Sequence, residues 1–142
     1  MLFELFTKAI QIFQKEKNEN LASNSDVLYI QKRQLFHKDI PDLETVKSIT
    51  GERFYKLLAL FNKYDPVKTE KLNANPRKYE FLTRTVIYKL PTKHTRQAIA
   101  DLVSLEFSLW FKHAYNGFDK KEELIDEVYS FKKQHLQTDP FV

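Results

Sequence analysis

The chain contains no cysteine. That removes disulfide bonds, thiolate nucleophiles and every cysteine-based zinc or iron–sulfur site. Glycine is almost as scarce, with only Gly51 and Gly117 in 142 residues. Tight hairpins and phosphate-cradling loops rely on glycine for positive φ or for close backbone approach. Two glycines so far apart cannot build a GxGxxG turn, a P-loop or a GxSxG elbow. No apolar run approaches the roughly 18 residues needed to span a bilayer. The opening "MLFELFTKAIQIF" has no basic leader and carries Glu4 and Lys8 inside its apolar stretch, so no secretory signal is expected. A cytoplasmic protein without a membrane span is the simplest expectation.

What is present points to helices. The chain holds 12 Phe, 7 Tyr and 1 Trp, so a ring-rich core is expected. Residues 2–17 place Leu2, Phe3, Leu5, Phe6, Ala9, Ile10, Ile12 and Phe13 on one arc of an amphipathic helix. The polar stretch 18–25 is a connection. Residues 26–38 are ambiguous because "VLYI" suits a short strand, but no second strand is available to pair with it, so a helix is expected. Pro41, Asp42 and Glu44 suit a helical first turn. Leu43, Val46, Phe54, Leu57, Leu58 and Phe61 then share a face, in a pattern that either runs through Gly51 or breaks there. Residues 65–76 form a polar connection with room for one helical turn.

The segment 92–117 is the most apolar. At about 100° per residue its apolar side chains (Ala98, Ile99, Leu102, Val103, Leu105, Phe107, Leu109, Trp110, Phe111, Ala114) cover roughly two-thirds of a helix. It is expected to run through the centre of the fold, with Trp110 in the core and Gly117 as its stop. The unbroken periodicity through "LVSLEFSLWF" argues against a helix-turn-helix there. A last helix is expected from Asp119, with Glu122 at capping-box spacing and Leu124, Val128 and Phe131 facing inward. Residues 137–142 read as a frayed tail. The expected architecture is all-α: one compact, bundle-like domain over 1–142, with five or six helices and a largely buried helix at about 93–116.

Two features carry a functional expectation. Between Pro66 and Arg96, eight lysines and arginines stand against two glutamates, a local excess of +6 in a chain of net charge +4. The remainder therefore sums to −2, and the basicity is local. Within this region a helix from Pro76 to Leu90 projects Tyr79, Leu82, Val86 and Leu90 to one side. It projects Arg77, Phe81, Arg84 and Tyr88 to the other, with Lys78 and Lys89 flanking. Arginine and rings together are enriched in protein interfaces. The same combination binds phosphate and stacks bases, and it also serves a helix simply covered on both sides. The expected binding surface comprises Arg77, Lys78, Phe81, Arg84, Tyr88, Lys89, Lys93 and Arg96. A protein is the first-choice partner, and nucleic acid is the alternative.

Glu106 and His113 fall inside the apolar arc of 92–117. A buried carboxylate is costly unless paired, so Glu106 is expected to meet a cation from another helix. Two turns of helix, about 10 Å, separate the pair, too far for one metal ion without other groups. His37, His94 and His135 show no metal-ligand spacing, and no HExxH occurs. No catalytic residue, metal or cofactor is expected, and the chain reads as a binding protein.

Overall fold

Gly51 decides the first architectural question. In the computed structural model, which describes residues 35–68 and 77–142, Gly51 has φ 56° and ψ −127°, a conformation open essentially to glycine alone. The apolar pattern therefore breaks there into two helices, α1 (Leu43–Thr50) and α2 (Glu52–Tyr64). Asp42 caps α1 through its side chain, which accepts a 2.8 Å hydrogen bond from the Thr45 N–H. Arg53 sits over the bend. Its guanidinium donates to the carbonyl oxygens of Ile49 and Thr50 and to that of His135, so one side chain satisfies terminal carbonyls of two helices.

The chain divides between Ile40 and Pro41 into two units, and residues 41–142 form the larger of them. Of the smaller unit, residues 35–37 are helical, and residues 26–34 of the helix expected over 26–38 lie outside the described residues. The amphipathic helix expected at 2–17, the connection at 18–25 and most of the one at 65–76 lie outside the described residues.

In the larger unit, α2 is succeeded by α3 (Glu80–Lys89), a 3-10 turn at Leu90–Thr92, α4 (Arg96–Phe111), a second 3-10 turn at Ala114–Gly117, and α5 (Lys121–His135). Among the described residues there is no strand. Pro91 falls in the first 3-10 turn, and Thr95 starts α4 afresh by accepting from the Ala98 N–H at 3.0 Å. Helix α2 packs on α3 and α5, α3 on α4, and α4 on α5, while α1 packs along α2 and α3. Four helices thus close a ring around one core, the bundle-like all-α arrangement that the periodicity predicts.

The core is ring-rich. Phe54, Leu57 and Phe61 of α2 are fully buried, as are Leu82 and Val86 of α3, Ile99, Val103 and Phe107 of α4, and Leu124 and Val128 of α5. Phe107 lies at its centre, stacked on Tyr115 with ring centroids 4.4 Å apart and meeting Phe61 edge-on at 5.8 Å. Such pairs contribute roughly 0.5–1.5 kcal/mol beyond the area they bury.

Several boundaries differ from expectation: α3 begins at Glu80, past a turn at 77–79, and not at Pro76, and α4 begins only at Arg96. Helix α4 ends at Phe111, because Lys112 takes φ 56° and its N–H bonds to the Ser108 carbonyl. Gly117 therefore closes the 3-10 turn and does not stop α4. Helix α5 begins at Lys121 with no side-chain cap, so the capping box from Asp119 does not form. Residues 137–142 are not frayed. Phe141 packs against the core, its ring 4.9 Å from that of Tyr88.

Candidate interaction surface on the third helix

The faces of α3 follow from its sequence. Tyr79, Leu82, Val86 and Leu90, the predicted inward set, are completely buried. Burial extends further than that stripe, because Glu80, Thr83, Thr85 and Ile87 are also covered. The threonines satisfy their hydroxyls within the helix, Thr83 donating to the Tyr79 carbonyl and Thr85 to that of Leu82. One large apolar side chain of α3 remains in solvent: Phe81, 48% exposed. Its ring stacks on Trp110 of α4, with centroids 5.7 Å apart and planes inclined by 24°.

The N-terminal end of α3 is held by two polar clusters. In the first, Glu80 receives Arg77 at 2.6 Å and Lys47 of α1 at 3.1 Å. Burial pushes the Glu80 carboxyl up, and the hydrogen bonds and charges of Arg77 and Lys47 outweigh that and hold it below its ordinary value. In the second, Tyr79 donates to Asp65 at 2.7 Å and accepts from the Val67 N–H at 2.9 Å, while Lys78 reaches Asp65 at 2.7 Å and the Val67 carbonyl at 3.0 Å. Burial and the Asp65 carboxylate both push the Tyr79 hydroxyl pKa upward, so the phenol stays protonated and donating.

The other expected surface residues are drawn in different directions. Arg84 is half-buried, and its Nε donates to the Pro41 carbonyl at 2.6 Å. Burial lowers its pKa, against the opposing charges of Asp42 and Glu106. Tyr88 is half-buried against Phe141. Lys89 turns toward α4 and bonds to Glu106 at 2.9 Å, the cation from another helix that the buried carboxylate requires. Lys93 and Arg96 lie beyond the end of α3. Arg96 bridges to α5 through Glu122 and Asp126, each at 2.7 Å. The structure therefore brings Arg77, Phe81 and Arg84 to one side of α3, and places Lys93 and Arg96 elsewhere.

This pairing changes the meaning of the local charge. Arg77, Lys78, Lys89 and Arg96 each meet a carboxylate, so the excess counted along the sequence is largely neutralised in space. Trp110, which the sequence pattern assigns to the core, packs against it but is only half-buried. The available signal was the width of the apolar arc on 92–117. An arc of two-thirds of a circumference exceeds what a helix on the rim of a bundle can bury, and Leu105 accordingly emerges 44% exposed. Lys47 and Glu80 were missed because their pairing joins positions 33 residues apart.

Glu106 is fully buried and His113 is exposed, so the two do not share a cavity. Among the described residues no group of three histidines, aspartates or glutamates comes together as a metal-ligand set. Among the same residues no helix is long and apolar enough to cross a membrane. Comparison with protein-family models, with curated proteins and with solved structures found no significant match.

Proposed function

We propose that the chain is a non-enzymatic binding protein and that it holds a protein partner against the outer side of α3, with Phe81 at the centre. The observation that carries this reading is the Phe81–Trp110 stack: a phenylalanine 48% exposed on a helix otherwise mostly buried, resting on a half-buried tryptophan of the neighbouring helix. A rigid aromatic pair loses little conformational freedom on binding and offers large contact area, the character of an interface hot spot. Arg77 and Arg84 border it, and guanidinium groups already held by Glu80 and by the Pro41 carbonyl need no further ordering to meet a partner.

Protein is favoured over nucleic acid by the charge pairing. Phosphate binding draws its affinity from cations that release counterions, and four of the eight expected contact residues are bound to carboxylates of the chain itself. The test is capture from native cell extract on wild-type and Phe81→Ala baits, with and without nuclease and at two salt concentrations. The proposal expects a nuclease-resistant protein, retained with little salt dependence by the wild type and lost from Phe81→Ala. Capture that vanishes with nuclease, or that falls steeply with salt, establishes the nucleic-acid reading instead.

A further inference from the structure

Two cations that meet no carboxylate among the described residues gather on a different part of the molecule. A cleft of about 350 Å³ lies between the 3-10 turn after α3 and the last turns of α5, lined by Pro91, His94, Tyr129, Lys132, Lys133, Leu136 and Gln137. No acidic side chain lines it. Among the described residues neither Lys132 nor Lys133 makes a salt bridge, in contrast to Lys78 and Lys89.

Both ammonium groups are nonetheless held in place. Lys132 donates to the backbone carbonyl of Lys93, which leaves two of its three N–H donors available. Lys133 sits over the Tyr129 ring, 4.1 Å from its centroid, a contact that positions the charge without neutralising it. Gln137 donates to the Lys133 carbonyl and ties the end of α5 to the same spot. The carbonyl end of a helix carries only about half a negative charge, so two full positive charges dominate the local field. The groups lining the cleft that can donate are the Lys132 and Lys133 ammonium groups, the His94 imidazole and the Gln137 side-chain amide. Pro91, Leu136 and the Tyr129 ring supply apolar walls. Several donors around one small volume match an anion with several acceptor oxygens better than a two-oxygen carboxylate.

From this arrangement we infer that the His94–Tyr129–Lys132–Lys133 cleft binds a phosphate group, free or as a small phosphomonoester. The inference is independent of the α3 surface. It is tested by amide and imidazole NMR titration of the full chain with phenyl phosphate, inorganic phosphate and benzoate. Saturable shifts confined to residues 91–94 and 129–137 are expected for both phosphates and not for benzoate. Tighter binding of phenyl phosphate identifies an ester ligand using the apolar walls, and equal binding identifies the free ion. Lys133→Gln and His94→Gln alter exposed side chains and are expected to keep the wild-type spectrum elsewhere. Lys133→Gln is expected to weaken binding about tenfold, the loss of one charge-assisted contact. The inference is overturned by an absence of saturation, by shifts spread over lysines elsewhere, by benzoate binding as well as phosphate, or by affinity that both variants leave unchanged.

Discussion

The Nζ of Lys89 stands 2.9 Å from the Oε1 of Glu106, with the glutamate side chain wholly shut off from solvent and the lysine 25% exposed. The pair joins α3 to α4, the two helices that also carry Phe81 and Trp110. A buried carboxylate left without its cation is strongly destabilising, whereas replacing both partners by apolar groups is often neutral. Glu106 also faces the charge of Arg84, so Lys89→Met is expected to lower stability by the loss of one of the cations around the carboxylate, and Lys89→Met with Glu106→Leu to recover part of that loss. Urea denaturation of the two variants checks both outcomes. Equal destabilisation of single and double variants contradicts the pairing argument.

Acid sensitivity follows from Asp65 and Glu80. Burial pushes both carboxyls up, but the hydrogen bonds from Lys78 and Tyr79 to Asp65, and from Arg77 and Lys47 to Glu80, leave each below its ordinary value. A carboxyl depressed in the folded state contributes stability that is complete above its unfolded pKa, about 4. That contribution disappears as pH falls through the lower folded value. Melting temperature is expected to fall below about pH 4, and Asp65→Asn to flatten that fall while lowering stability at neutral pH. A melting curve recorded across pH for both proteins decides this.

Phe107 and Trp110 occupy the same helix but have different energetic roles. Phe107 is completely buried among Phe61, Tyr79, Phe111 and Tyr115, so Phe107→Ala is expected to cost about 3–5 kcal/mol. Trp110 is half-buried and faces Phe81. Trp110→Ala is expected to cost about half as much, because part of the side chain never left water. Chemical denaturation orders the two, and an equal or larger loss at Trp110 contradicts its half-buried position.

Gly51→Ala isolates backbone strain. A β-carbon at this position meets no atom within 4 Å, so packing exacts no penalty. The φ of 56° with ψ −127° does, at about 1–3 kcal/mol for a residue other than glycine. Unchanged stability in Gly51→Ala contradicts the break between α1 and α2.

Much of this fold was legible in the residues. Periodicity placed Leu82, Val86, Leu124, Val128 and Phe131 correctly because each lies on a helix with one buried stripe. It was less informative for α4, where the apolar arc is wider than the buried face and gives no sign of which edge emerges. The stop at Lys112 was invisible because a lysine takes a conformation that usually announces itself as glycine or asparagine. Charge along the chain was the poorest guide to the candidate surface. The basic run 66–96 looked like an electrostatic patch until folding brought Asp65, Glu106, Glu122 and Asp126 to its cations. Of the two rings in the pattern, Phe81 is the exposed one, and the ring it stacks on, Trp110, lies 29 positions away in sequence.

Trp110 is the only tryptophan in the chain, and this makes the Phe81 surface directly observable. With 5-fluorotryptophan incorporated, the protein gives a single fluorine resonance from the ring that Phe81 covers. On titration with the protein captured by the wild-type bait, that resonance is expected to shift in proportion to the bound fraction, and Phe81→Ala is expected to abolish the shift together with the binding. A fluorine signal that stays in place while the partner binds contradicts the assignment of this surface.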